Sequence, residues 1–244
     1  MSRLDPRLLL QGYAAGIFPM ADSREAAELF WVEPRTRAIL PLDRFHVSRS
    51  LRRTLRSGRF TVTLDRAFAE VIAACARREE TWINAEIEHA MLALHASGHA
   101  HSIEVWAGDA LAGGVYGVRL GRAFFGESMF STERDGSKVA LAWLVARMKV
   151  GGFTLLDCQF MTAHLASLGA ISMPRTTYVA LLAAALGAGG SGAGSAGVVG
   201  AGAAGLGAVP PDFRALDRLL DATGAADAAM PAGYVIAQLL GQTS

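Results

Sequence analysis

No run of about 18 or more bulky apolar residues, the length that a bilayer-spanning helix needs, occurs in the 244-residue chain. Its most apolar tract, Tyr178 to Leu186, is far shorter, so no membrane association is expected and the chain reads as soluble. Cysteine is almost absent. Cys75 and Cys158 are the only two, which leaves no disulfide framework and no ligand spacing for a structural zinc. Both are read as reduced thiols in the core. The first residues, Met1-Ser2-Arg3-Leu4-Asp5-Pro6, carry an acid and a proline where a secretory signal would need an uninterrupted apolar region, so a cytoplasmic location is expected. Phosphate-cradling glycine loops are missing too, because no segment reads GxxxxGKS/T or GxGxxG ahead of a helix.

Charge of one sign is not in excess, since the net charge is +1. The basic residues are nevertheless unevenly placed. Arg49, Arg52, Arg53, Arg56 and Arg59 contain no acid among them, and the first four share one face at helical spacing. Such a face is either solvated or meets a phosphate backbone.

The period of the apolar residues divides the chain. Arg7 to Ala15 reads as a short helix leading into the turn Gly16-Ile17-Phe18-Pro19-Met20, and Trp31 to Leu42 reads as extended. Ser48 caps the arginine-bearing helix, and by the same logic Asp65 caps a helix over Ala67 to Ala76. Ile87, Met91 and Leu94 recur at helical spacing up to Gly98. The period then becomes two, and Ser102 to Trp106, Leu111 to Val118 and Ala123 to Met129 read as an antiparallel meander. Gly113 and Gly114 inside it point to a bulge or a close approach by a ligand. A helix over Ser137 to Val150, a strand over Phe153 to Gln159 and helices over Thr162 to Leu168 and Thr176 to Leu186 follow. Gly187 to Val209 is almost wholly Gly, Ala and Ser and reads as a flexible linker. Phe213, Leu216, Leu219 and Leu220 make an amphipathic helix, and the apolar run Val235 to Leu240 is suited to docking on the body.

Chemistry concentrates where apolar runs end in polar groups. Leu155-Leu156-Asp157-Cys158-Gln159 is a buried strand ending in an acid, and Gly126-Glu127-Ser128-Met129-Phe130-Ser131 sets a second carboxylate among small and apolar residues. Two such carboxylates suggest a charged or basic substrate. The second segment has the outline of a serine-hydrolase elbow but places Phe130 where that turn needs glycine. His95, His99 and His101 lack an acid or cysteine to complete a metal set in sequence, so packing and hydrogen bonding at a helix end account for them. The order of meander, helix, strand and helix resembles the acetyltransferase-like (GNAT) architecture. The coenzyme A pyrophosphate loop of that fold is absent, because Glu133 and Asp135 precede the central helix and would repel the phosphates.

A set of motifs, in order from about Leu8 to Arg175, then resembles the leucyl/phenylalanyl-tRNA-protein transferases. They are Gly16 to Met20, Phe45 to Ser50, Thr81-Trp82-Ile83-Asn84, Leu94-His95, Gly98 to Trp106, Gly113 to Gly117, Gly126 to Ser131, Ser137-Lys138 and Asp157-Cys158-Gln159. The resemblance implies an α+β fold with a small N-terminal subdomain over residues 1–34, a GNAT-like catalytic domain over 35–186 and a Gly/Ala-rich C-terminal region over 187–244. It implies transfer of Leu, Phe or Met from aminoacyl-tRNA to proteins beginning with Arg or Lys, marking them for N-end rule degradation, by a monomer with no metal and no cofactor. Asp157 and Gln159 match the family's catalytic pair, and Glu127, followed by Ser128, matches the residue that holds the aminoacyl-adenosine end. Met20, Trp82, Val115, Met129, Leu144 and Leu156 match the donor side-chain pocket, Met20 standing where some members have Trp. Arg49, Arg52, Arg53 and Arg56 are assigned to tRNA. An aminoacyl ester is already activated, so transfer needs positioning, removal of a proton and stabilisation of an oxyanion. Asp157 either accepts the amine's proton, directly or through Gln159 and water, or anchors a positive acceptor. A coenzyme A-dependent acetyltransferase and a non-catalytic module binding the tRNA acceptor end are the alternatives.

Overall fold

The computed structural model describes residues 4–78, 80–187, 209–223 and 231–241. Asp5 opens α1 (Pro6–Ala14) by accepting the Arg7 N–H, with Pro6 at the first helical position, where a missing N–H costs nothing. Gly16, at φ 77°, turns the chain into β1 (Phe18–Met20), which pairs with β2 (Phe30–Val32) as a separate two-stranded ribbon. Next come β3 (Thr36–Ile39) and α2 (Arg49–Arg56), whose first turn is capped as expected by the Ser48 hydroxyl accepting from the Leu51 N–H. They are followed by β4 (Thr61–Leu64), α3 (Phe68–Ala76) and α4 (Ala85–Ala96), the last capped by Asn84.

Asp65 does not cap α3. Its backbone is left-handed, at φ 59°, and its carboxylate pairs with His101 and accepts the Ser102 N–H, so Ala67 takes the cap position without a side-chain bond. Burial works against the Asp65 charge, but the His101 contact outweighs it and holds the carboxyl below its usual range. His95 and His99 bond to Ala100 and Ser97 around the end of α4, as expected.

The meander forms as read: β5 (Ala100–Ala107), β6 (Ala110–Leu120) and β7 (Ala123–Ser131) are antiparallel neighbours. Register slips beside Gly113, leaving Ala112 unopposed, and a Cβ at Gly113 would lie 2.6 Å from the Gly136 backbone. The close approach there is that of α5 (Gly136–Val150), which two facing glycines bring down onto the sheet. β8 (Leu155–Gln159) returns parallel to β7, the helical crossover being what a parallel pair requires. α6 (Ala163–Ser167), β9 (Ile171–Pro174), α7 (Arg175–Ala185), α8 (Ala215–Ala222) and α9 (Ala232–Leu239) complete the described chain.

The main sheet has seven strands in the order β4-β5-β6-β7-β8-β3-β9, antiparallel except at β7 and β8, so the fold is α+β around a mixed sheet. Two apolar layers cover it. One is built on α5 and includes Leu51 and Leu55 of α2, Leu216 and Leu220 of α8 and Ile236 of α9. The other joins α1, α3, α4 and α7. The tail helices thus complete the core. The stretch read as a linker lies, between its end residues Gly187 and Val209, outside the described residues. Among the described residues no helix is long and apolar enough to cross a membrane, and no group of three or more His, Cys, Asp or Glu side chains is arranged to hold a metal.

Candidate active site

β7 and β8 pair only where Ala123, Phe124 and Phe125 meet Leu155, Leu156 and Asp157. Beyond that point the two strands part, and each carries an extra residue there. The step in register against β6 leaves Glu127 unopposed between Gly126 and Ser128. The step against β3 leaves Cys158 unopposed between Asp157 and Gln159. Bulges of this kind bend a strand and re-aim its side chains. Gln159 adds a left-handed backbone, at φ 61°, which is uncommon for a residue with a side chain and costs energy that the surroundings must hold in place. Strict alternation would turn Gln159 away from Leu156 and Cys158, yet all three border one pocket. Across the gap the Gln159 Nε2 donates to the Glu127 Oε1 at 2.7 Å.

Asp157 lies beneath this gap and is fully buried. Its Oδ1 accepts from Arg37 Nε at 2.9 Å and from the Gln159 N–H at 2.8 Å. Its Oδ2 accepts from Arg37 Nη2 and from the Tyr178 hydroxyl, each at 2.6 Å. The Arg37 guanidinium is 1% exposed, lies 4.6 Å from the Phe18 ring centre and 4.7 Å from that of Tyr178, and donates to the Gly16 carbonyl. Burial opposes its charge, but the Asp157 hydrogen bonds more than compensate and raise its pKa. Asp157 is neutralised by its own arginine, and its oxygens are engaged inside the protein.

Glu127 differs in every respect. Burial pushes its carboxyl up to about 8, with the Tyr13 hydroxyl pulling the other way and the Asp157 charge adding to the rise. Its proton therefore comes off much closer to neutral pH than that of an ordinary glutamate. Its Oε2 and the Tyr116 hydroxyl are buried without a hydrogen bond of ordinary geometry among the described residues, and the Tyr13 hydroxyl stands against the Glu127 carboxyl. Burial and the Glu127 charge together raise both tyrosines well above their ordinary range. Burial likewise raises the Cys158 thiol, and it carries Cys75 to about 11, so neither sulfur is an activated nucleophile.

The pocket that opens from this gap has a volume of about 850 Å³. Trp82, Val115, Met129, Leu144 and Leu156, named from the sequence as the donor pocket, all line it, together with Glu127, Ser128 and Gln159. Met20 does not. It sits in β1, half-buried against the layer of α1, α3, α4 and α7, because the β1–β2 ribbon packs on that layer. Asp157 is absent from the lining because it is fully buried beneath the gap. Arg49, Arg52, Arg53 and Arg56 are exposed on one side of α2, away from the lining. They are tied to the pocket's edge through Thr54, whose hydroxyl donates to Asp135 just before α5, where Ser137 borders the cavity.

Sequence reasoning missed Arg37, Tyr13 and Tyr178, which sit in unremarkable local patterns and meet the site only across long stretches of chain. It also passed over Arg77 and Arg78, two exposed cations on the pocket wall. The signal that could have found them was the Arg77-Arg78 pair itself, set off from Thr81-Trp82 by Glu79 and Glu80.

Family models described as leucyl/phenylalanyl-tRNA protein transferase and its N-terminal domain match residues 39–183 and 2–35. A leucyl/phenylalanyl-tRNA--protein transferase from Rhizorhabdus wittichii is 58% identical over 100% of both chains. One from Cereibacter sphaeroides is 61% identical over 75% of this chain and 86% of its own. Among solved structures, L-PGS from Bacillus licheniformis aligns at a TM-score of 0.37 and 13% identity, covering 62% of this chain and 51% of its own, too distant to inform the chemistry.

Proposed function

Since the chain belongs to the leucyl/phenylalanyl-tRNA protein transferase family and is an aminoacyltransferase, we propose that it moves leucine, phenylalanine and methionine from charged tRNA to proteins beginning with Arg or Lys, marking them for N-end rule degradation in the cytoplasm. In this reading it acts as a monomer without a metal or cofactor. The observation that carries it is the cleft between the parted ends of β7 and β8, apolar along Val115, Met129, Leu144 and Leu156 and polar at the Glu127–Gln159 bridge. An aminoacyl side chain with an unbranched β-carbon is taken by the apolar wall, with Trp82 closing one side, and the ester carbonyl lies against Gln159 and Glu127. Gln159 is held at both ends, by Asp157 through its backbone N–H and by Glu127 through its amide, so it meets the reacting carbonyl without reorganising. Arg77 and Arg78 at the wall suit the phosphates of the terminal nucleotides, and the arginine face of α2 suits a more distant part of the tRNA.

The division into residues 1–34, 35–186 and 187–244 and the acetyltransferase-like character of the sheet belong to the same proposal. The character of the sheet is supported by the order β5, β6, β7, α5, β8, in which the parallel pair parts at the site, and the first boundary by the β1–β2 ribbon, which stands apart from the main sheet. One assay tests the activity. The protein is incubated with labelled leucyl-tRNA, or with labelled acetyl-coenzyme A, and an acceptor beginning with Arg. We expect leucine in the acceptor and no acetyl label. Acetyl transfer alone would favour the coenzyme A enzyme, and tRNA binding with no label transferred would favour a binding module.

A further inference from the structure

We propose that Glu127, set in place by Tyr13, takes the proton from the attacking amine and returns it to the departing ribose oxygen, while Asp157 serves as an ion-paired anchor that never exchanges a proton with substrate. The proposal rests on the aminoacyl-transfer reading and assigns the proton path within it.

Geometry separates the two carboxylates. Asp157 is fully buried and borders no part of the pocket, and its oxygens already accept from Arg37, Tyr178 and the Gln159 N–H. A general base must come within hydrogen-bond reach of the proton it removes. Glu127 borders the pocket, has one oxygen bonded to Gln159, and keeps a second without a hydrogen bond of ordinary geometry among the described residues. The Tyr13 hydroxyl stands against the Glu127 carboxyl, and the Tyr116 hydroxyl is buried without a partner among the described residues, a state that native interiors seldom leave unexplained. When protonated, Glu127 supplies a donor to such a group, and when ionised it accepts one. Burial, Tyr13, Asp157, Arg37 and Gln159 set the proton affinity of Glu127, and Tyr116 in turn feels Cys75, Glu88 and Arg78 from α3, α4 and the turn between them. The result lies near working pH, where a group can both accept and donate.

The step balances. The neutral amine's lone pair forms the N–C bond, one N–H proton passes to the Glu127 carboxylate, the C–O bond of the ester breaks, and the same proton goes to the ribose oxygen as it leaves. An amide and a free hydroxyl result, with Glu127 returned to its starting charge.

Single-turnover transfer from leucyl-tRNA to a peptide beginning with Arg, followed from pH 6 to 10, tests this with the full chain and with Tyr13→Phe and Glu127→Gln. Removing the Tyr13 hydroxyl takes away the contact that lowers the Glu127 pKa, so the midpoint of the rate profile should rise by roughly half to one pH unit. Ionisation of the acceptor amine would leave it unmoved. Glu127→Gln should lose roughly a hundredfold to ten-thousandfold in rate. Independently, a ¹³C NMR titration of the glutamate carboxyls, with Glu127→Gln identifying the resonance, should place Glu127 well above the ordinary glutamate range. Titration of Glu127 below about pH 5 overturns the inference whatever the activity, as does an unmoved midpoint in Tyr13→Phe. Wild-type protein that transfers nothing overturns the transfer reading, and the proton path with it.

Discussion

Replacing Asp157 by Asn reads, from the sequence, as the loss of one charge with the fold intact. In the structure it strands the Arg37 guanidinium, 1% exposed, between Phe18 and Tyr178 without a counter-charge. Breaking one side of a buried pair costs about 3–5 kcal/mol. We expect Asp157→Asn to lose stability of that order in urea denaturation as well as activity, and Arg37→Met combined with Asp157→Leu to recover part of the stability and none of the activity. Glu127 makes stability depend on pH. Its folded-state pKa, about 8, exceeds the ordinary 4.5, so the folded protein binds a proton that the unfolded chain has already released between those values. Its contribution is greatest below about pH 4.5 and declines as pH rises towards 8, by at most about 1.4 kcal/mol per unit. Urea midpoints at pH 5, 7 and 9 should show a shallower decline in Glu127→Gln. Met129→Ala should cost about 1–3 kcal/mol in discrimination between leucine and a smaller amino acid, read as a ratio of kcat/KM values. Equal losses for leucyl-tRNA and phenylalanyl-tRNA would remove Met129 from donor selection. Asp157, Gln159 and Glu127 are legible in the sequence because each ends or interrupts an apolar run. Arg37 is not, since an arginine in a short extended segment looks like surface until its partner, 120 residues away, is known.

At the scale of elements, sequence reveals what near neighbours determine. Ser48 caps its helix, and the meander follows its turns. What escapes is relational. β9 pairs with β3 from opposite ends of the domain, and the bulges at Glu127 and Cys158 exist only as mismatches with β6 and β3. A single strand's pattern does not contain its register. α2 shows how the same logic frames a test. Leu51 and Leu55 are buried and leave Arg49, Arg52, Arg53 and Arg56 on the outer side, with Arg56 resting over the Tyr234 ring. Neutralising Arg49, Arg52 and Arg53 should weaken binding of charged tRNA. It should also flatten the log–log salt dependence by about 0.9 for each phosphate that is no longer neutralised, measured between about 50 and 200 mM salt. An unchanged slope would make the face merely solvated.

Across the whole molecule, the tail closes the core. Phe213 stacks on Phe124, at 5.3 Å between ring centres, and packs edge-on to Phe153. The buried Arg147 of α5 pairs with Asp217 of α8 and donates to the Phe213 carbonyl. The amphipathic pattern of α8 is visible in the sequence, but its receptor surface is assembled from β7, α5 and the segment before β8, which no local pattern links. Phe213→Ala should cost about 3–5 kcal/mol, measured by chemical denaturation. A loss below about 1 kcal/mol would show the tail to be dispensable for folding.

The position of β3 between β8 and β9 also sets the order in which the enzyme can be born. The ribosome makes β3 early, and its two neighbours emerge about 120 to 135 residues later, roughly 6–27 s at ordinary rates of synthesis. Throughout that interval Arg37 has no Asp157 to meet, and β7 has no β8 from which to part. A nascent chain therefore carries β3 without either of its sheet neighbours, and the cleft between β7 and β8 takes shape only when translation is well advanced.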